Sequence, residues 1–307
     1  MHSLFRNEHS MSNETDTEAG AFVTQSVTQD IPISVGRFWS AFDEYLPLQA
    51  VLGGHRDVKL VTGAGRPNNG VGAEIEFDFE GSATREVLWQ KDDTNHVWVM
   101  GISAPNAVFS YYRATVGVWQ GSTGARAKLS IDGVLAAKDA GGRAAALALM
   151  AQFIPTRLPE ISRFVLNRDG LRSHFELDLD FDLERYWSII SDWGNVSWVM
   201  GATAVDPLGD DVRRVWFGPA HSLTERLVST DPATHTLHYS MLTSELPVDM
   251  YEGTVTLTKS ATGGTHLVYS SVYLVKDGVD GAAAKAAIDK SFEQRVVWMK
   301  ATFSNAK

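Results

Sequence analysis

The residues best suited to chemistry lie in one stretch, 221–257, HSLTERLVSTDPATHTLHYSMLTSELPVDMYEGTVTL. It reads as three consecutive strands, with a carboxyl group at Glu225 on the first and a phenol at Tyr251 on the third. Side chains on a strand alternate faces, so Leu223, Glu225 and Leu227 share a side, and the two leucines turn that side inward. A carboxyl group in an apolar interior needs a partner or a proton, and its pKa rises. That is how such a group becomes a general acid or base near neutral pH. The competing reading is an ion pair with a neighbouring arginine such as Arg214, which would brace the sheet. Tyr251 shares its face with Gly253 and Val255. Its hydroxyl suits a carbonyl or enolate oxygen, or else a local partner in the core. Arg214 alternates with Trp216 and carries a fork of donors fit for a carboxylate or phenolate, or for the surface.

Other chemistries are poorly served. The 307 residues contain no cysteine, which removes disulfides, thiol nucleophiles and thiolate metal sites and fits a cytoplasmic protein. His221, His235 and His238 lack a helical ligand pair, so no metal is expected. Gly63-Ala64-Gly65 has no helix after it to cradle a dinucleotide, and no Gly-x-Ser-x-Gly elbow occurs. No cofactor is called for. A net charge of −10 argues against nucleic-acid binding, and no apolar run approaches the ~18 residues that span a bilayer. Residues 1–20 lack the apolar core of a signal peptide, and their polar, acidic second half predicts a disordered N-terminal tail. Oligomeric state leaves no mark in the sequence.

The elements that must position Glu225 and Tyr251 come twice. A strand at 21–31, a short helix capped by Ser34 and a series of strands through 135 lead into a helical stripe: Leu147, Ala151, Ile154, Leu158, Ile161 and Val165. Pro155 and Pro159 inside that stripe predict a kink or two helices. The pattern then restarts: a strand at 175–181, a helix capped by Asp182, strands through 275 and a final helix over 281–303. One constant offset, 139 residues, joins Glu86 to Glu225, Asp92 to Asp231, His96 to His235, Tyr112 to Tyr251 and Phe77 to Trp216. The chain therefore reads as two copies of one α+β unit, 21–170 and 171–307, after the tail at 1–20. The upstream copy keeps Glu86 but sets it among Phe77 and Met100, so it is the weaker candidate for chemistry.

The strand Thr224-Glu225-Arg226-Leu227, the turn at Asp231, His238-Tyr239-Ser240 and Tyr251-Glu252-Gly253-Thr254 resemble the START-like, Bet v 1-like (SRPBCC) superfamily. Arg85-Glu86-Val87, Asp92 and Tyr112-Arg113 repeat the likeness upstream. The resemblance implies two tandem helix-grip domains, each a curved antiparallel sheet around a long C-terminal helix with an apolar cavity between. It places Glu225, Tyr239, Tyr251 and Trp216 around the second cavity, with Leu223 and Leu227 beside them and Glu86 and Tyr112 in the first. Leu246-Pro247-Val248 replaces the His-Arg-Leu latch of the receptor branch. The two-module arrangement is instead similar to didomain aromatase/cyclases of aromatic polyketide pathways. The implied activity is cofactor-independent cyclisation or dehydration of an apolar, oxygenated small molecule, with Glu225 moving protons and Tyr251 and Arg214 polarising or anchoring oxygens. The alternative is a non-catalytic carrier or sensor of a hydrophobic small molecule, and a third reading is a scaffold with collapsed cavities.

Overall fold

The computed structural model describes residues 8–13, 21–63, 65 and 67–303. It divides into two compact units, Met1–Val165 and Leu166–Lys307. The upstream unit runs β1 (Glu8–Asn13), β2 (Phe22–Ile31), α1 (Val35–Trp39), a 3-10 turn (Ser40–Asp43), α2 (Tyr45–Val51), β3 (His55–Leu60), β4 (Glu74–Phe79), β5 (Ser82–Asp92), β6 (Val97–Ile102), β7 (Phe109–Gln120), β8 (Ala125–Leu135) and α3 (Ala140–Asp169). The downstream unit runs β9 (Leu171–Leu179), α4 (Leu183–Ile190), β10 (Ala204–Pro207), β11 (Val212–Trp216), β12 (Ser222–Asp231), β13 (Thr236–Thr243), β14 (Val248–Lys259), β15 (Thr265–Val275) and α5 (Gly281–Phe303). Each unit forms one antiparallel sheet, in the orders β1-β2-β8-β7-β6-β5-β4-β3 and β10-β11-β12-β13-β14-β15-β9.

Alternation makes each sheet two-faced, and the terminal helix of each unit covers the apolar face. Along β9, every second residue from Ser173 to Leu179 is buried. Against that face α5 buries Ala284, Ile288, Phe292, Met299 and Phe303. Phe292 meets Phe175 and Tyr269 edge-on, at ring separations of 5.4 and 5.0 Å. The N-caps follow the same local logic. Ser34 accepts a hydrogen bond from the Arg37 amide, and Asp182 accepts one from the Arg185 amide at 2.9 Å, satisfying donors that a first helical turn leaves open.

Two features differ from the sequence reading. The tail expected over 1–20 contains a strand, since β1 pairs with β2 from Glu8↔Thr28 to Asn13↔Val23. A polar segment can do this because an edge strand offers an open row of main-chain donors and acceptors whatever the side chains. Residues 1–7 and 14–20 lie outside the described residues. The second concerns α3: of the kink or two helices expected at Pro155 and Pro159, two helices do not occur, since one continuous helix contains both prolines. An interior proline costs about 3 kcal/mol. Leu158, Ile161 and Val165, all within 3% of full burial, offset that by about 1.5–3 kcal/mol each.

The repeat reappears in backbone detail. His96 and His235, at the same place in the β5–β6 and β12–β13 turns, have φ of 49° and 47°. Non-glycine residues seldom adopt such values. Asp92 and Asp231 accept the amides of Thr94 and Ala233 in these turns. The two histidine rings meet Trp39 and Trp187 edge-on at 5.2 and 5.4 Å. Copies differ where they line their hollows: Gly253 lies opposite Tyr239 in the β13–β14 ladder, whereas Ala114 lies opposite Met100 upstream. A Cβ on Gly253 would meet the Tyr239 ring at 2.6 Å. Gly253→Ala should therefore destabilise the protein by about 1–3 kcal/mol in equilibrium denaturation, as overpacking does. Unchanged stability would mean that the Tyr239 ring is free to move aside.

Candidate functional site

Between sheet and helix the downstream unit encloses a cavity of about 430 Å³, within the size of small-molecule sites. Leu223, Glu225, Tyr239 and Tyr251 all line it, as the sequence reading expected. Arg214 and Trp216 do not. The arginine guanidinium lies over the Trp216 ring, and the indole N–H donates to Asp206 at 2.7 Å, away from the cavity. The parity of β11 is set by Val215, which is fully buried, and Arg213 shares its side. Leu227 packs against the core without reaching the hollow, because the β12–β13 ladder shifts register on both sides of the 225–227 segment. The same irregularity buries Thr224 and Glu225 in succession.

Arg213, directly across the ladder, is the partner of Glu225. Its Nε and Nη2 approach Glu225 Oε2 at 2.9 and 2.8 Å, with both side chains almost fully buried. Nη1 donates to the carbonyls of Trp193 and Asn195 at 2.9 and 3.3 Å, and the guanidinium lies 3.7 Å from the centre of the Trp193 ring. The ion-pair reading of Glu225 is thus the structural one, with Arg213 in place of Arg214. Both contacts fall on Oε2.

Two phenols that line the hollow, Tyr239 and Tyr251, are linked through a third buried phenol, Tyr269. Tyr239 and Tyr251 each hydrogen-bond to the hydroxyl of Tyr269, the second at 2.7 Å. Burial, with added repulsion from neighbours that include Tyr269, pushes Tyr239 and Tyr251 well above the ordinary phenol range, so both stay neutral donors. Arg295, from α5, lies over the Tyr269 ring at 5.0 Å and also lines the cavity. Sequence reasoning missed Tyr269, Arg295 and Arg213. Tyr269 alternates with the buried Leu267 and Ser271 on β15, and Arg295 stands seven residues after Ile288, two turns along one helix face. Those spacings were the available signals. At the mouth, His221 Nδ1 meets Glu245 Oε2 at 2.7 Å.

The upstream unit holds a smaller cavity, about 110 Å³, lined by Glu86 and Tyr112 among others. Glu86 is 3% exposed, yet its ladder neighbour on β4 is Ile75, where the downstream copy has Arg213. Its Oε2 has no hydrogen-bond partner among the described residues. Burial pushes this carboxyl up to about 8, with Arg157 pulling the other way. Arg157 is itself engaged, donating to the Gly53 carbonyl at 2.7 Å and to Glu160 at 2.9 Å. His55 stacks on Phe77 at 4.1 Å, and burial, helped by Arg157, lowers it to about 3. A neutral ring there donates from Nδ1 to the Gln49 carbonyl at 3.2 Å. Glu86 is thus a buried carboxyl group with no cross-strand arginine, since Ile75 stands opposite it.

Fold and hollow together define a helix-grip protein of two tandem units. Residues 174–304, within the downstream unit, match the family model described as "Polyketide cyclase / dehydrase and lipid transport". Comparison with curated proteins returned no match. Among solved structures, the di-domain ARO/CYC BexL from the BE-7585A biosynthetic pathway is 11% identical with a TM-score of 0.41, covering 93% of this chain and 99% of its own. The di-domain ARO/CYC StfQ from the steffimycin pathway is 11% identical with a TM-score of 0.39, covering 92% and 97%. The protein XoxI from Bacillus cereus is 14% identical with a TM-score of 0.40, covering 44% and 96%. No helix among the described residues is long and apolar enough to cross a membrane.

Two expected outcomes follow from the carboxyl groups. A group whose folded pKa is raised stabilises the fold below its unfolded value, and that contribution is lost as pH rises through the folded value. For Glu86 the window runs from the ordinary glutamate range, near 4.5, to about 8. Denaturation measured at several pH values should show stability falling across this window, and Glu86→Gln should flatten the slope; an unchanged slope would show that Glu86 ionises freely. Arg213→Met should cost about 3–5 kcal/mol by stranding a buried carboxylate, and adding Glu225→Leu should restore much of it. Additive losses in that double-mutant cycle would mean the two side chains act separately.

Proposed function

We propose that this protein binds an apolar, oxygenated small molecule in its downstream cavity and promotes its cyclisation or dehydration. The observation that carries this reading is the pair of buried phenols, Tyr239 and Tyr251, that line a hollow of about 430 Å³ and are both hydrogen-bonded to the buried Tyr269. The family match over 174–304 supports the same reaction class. Neutral phenols fixed in a dry wall hydrogen-bond to a ligand carbonyl as it gains negative charge, without reorganising at the moment of reaction. Arg295 adds a positive charge beside that row. Glu225 Oε1, the oxygen not taken by Arg213, is the candidate acceptor for the proton of the attacking carbon. The apolar walls fold a flexible chain so that its reacting carbons meet.

A second reading, a non-catalytic carrier, draws on the Arg213–Glu225 pair, since a carboxylate enclosed in an ion pair also serves simply to brace the sheet. Turnover separates the two. With a linear poly-β-ketone as substrate and aromatic absorbance as readout, Tyr251→Phe should lower kcat by about 10²–10³ with affinity little changed, the loss typical of one oxyanion donor. Glu225→Gln should likewise abolish turnover and spare binding. If the wild-type protein binds the ketone and releases it unaltered, and Glu225→Gln changes affinity alone, the carrier reading stands instead.

A further inference from the structure

The two sheets end differently. In the upstream sheet β2 has β8 on one side and β1 on the other. Downstream, β9 holds the corresponding place but pairs with β15 alone, so among the described residues its other edge is open. A strand with one neighbour leaves the N–H and C=O of every second residue unpaired, a template for another chain. The edges formed by β10 and β3 are guarded. β10 is four residues long and ends in Pro207, and β3 is broken by a register shift and by Asp57 at a φ of 52°. β9 is longer and regular: its nine residues pair with β15 without a shift.

Charges on an edge commonly keep a second chain away. On β9 they are arranged otherwise. The strand reads Leu171-Arg172-Ser173-His174-Phe175-Glu176-Leu177-Asp178-Leu179, with Arg172, His174, Glu176 and Asp178 exposed on the face opposite its buried residues. Laid antiparallel to a copy of itself about Phe175, it sets its basic half against its acidic half. Arg172 then faces Asp178, and the His174 ring faces the Glu176 carboxylate, with no like pair. Opposed residues of an antiparallel pair share a face, so the nearest alternative registers turn about His174 or Glu176 and set that residue against itself. On the buried face Leu171 meets Leu179 and Phe175 meets Phe175. An open groove of about 320 Å³, bordered by Phe175 and by Phe292 and Val296 of α5, gives those side chains room. The sequence alone is silent on this symmetry, because only the topology makes β9 an edge.

We propose that β9 is a self-association surface: a second copy of this chain adds its own β9 antiparallel about Phe175, joining two downstream sheets into one. The arrangement has a two-fold axis, so each complementary contact is made twice. Arg172 and Asp178 each have one contact inside the chain, to the Asn167 carbonyl at 3.3 Å and to His266 at 2.9 Å. A guanidinium and a carboxylate have further donors and acceptors to offer. One strand pair is a small interface, so the dimer is a weak one. Nothing in it depends on the downstream cavity, and either reading can fail alone.

The chain has no cysteine, so introduced ones report on this contact alone. His174→Cys and Glu176→Cys variants of the full chain are oxidised separately and as a mixture. Residues opposed in a ladder have Cα atoms about 4.5–5.5 Å apart, within disulfide reach. The mixture should therefore form a disulfide-linked dimer at least about tenfold faster than either variant alone. Sedimentation of the unaltered chain from about 1 µM to 1 mM should show monomer passing to dimer. Arg172→Glu, with its circular dichroism unchanged, should weaken that dimer at least about tenfold by opposing two carboxylates, and adding Asp178→Arg should restore it. A monomer at every concentration would leave the edge open or to another protein's strand, and would overturn the proposal. A dimer indifferent to Arg172→Glu, or not restored by the second change, would assign the contact to another surface, β1 of the second copy included, and would overturn it too. Equal cross-linking in the separate variants would do the same.

Discussion

A carboxyl group placed inside an apolar hollow must keep a counter-ion or keep its proton, and this protein does each once. Glu225 has Arg213 across the ladder and is bound through Oε2. Glu86 has Ile75 in that place and, among the described residues, no hydrogen-bond partner on its own Oε2. One cross-strand residue thus separates two copies of the same sheet into two electrostatic regimes. Burial pushes the unpaired group up to about 8, because low dielectric penalises the charged form unless something nearby repays it. The rest of each cavity is arranged around that choice. Downstream, Arg213 also ties the carbonyls of Trp193 and Asn195 to the wall, so the ion pair fastens a loop as well as a charge.

The widths of the two hollows follow from small differences on the same strands. Tyr239 faces Gly253, and only the lack of a Cβ lets that ring lie flat against β14. Upstream the facing pair is Met100 and Ala114, and Leu129 pairs with Val116 where Tyr269 pairs with Val255. Two phenols are therefore gained downstream by exchanging aliphatic side chains within an unchanged ladder. The preceding turn, between β5 and β6 and between β12 and β13, stays fixed, down to the left-handed histidine set edge-on against a tryptophan.

Much of this was legible in the residues. The ungapped offset joining Glu86 to Glu225 and Tyr112 to Tyr251 marked the repeat, alternation turned Glu225 inward, and the family resemblance set Tyr239 and Tyr251 beside it. What alternation could not supply was the parity of β11, where two arginines stand side by side and a tryptophan competes with a valine for the interior. Val215 won, which carried Arg213 inward and left Arg214 and Trp216 outside. Leu227 was misplaced because a register shift interrupts the period of two on which such readings rest. Arg295 reaches the site from α5 and Tyr269 from β15, and no local pattern announces a contact between a helix and a distant strand. The value of Glu86 was hidden for a related reason: what matters about it is an absence on β4.

The phenol chain has a property beyond its place in the wall. Three hydroxyls linked by two bonds hold one proton in surplus, and Tyr269 at the centre is free to donate towards either neighbour. Rotating the O–H groups together reverses the polarity of the whole row without moving a heavy atom. An arriving group that accepts a hydrogen bond at one end and a group that donates there would each find the same residues already disposed to greet it, oriented in opposite senses.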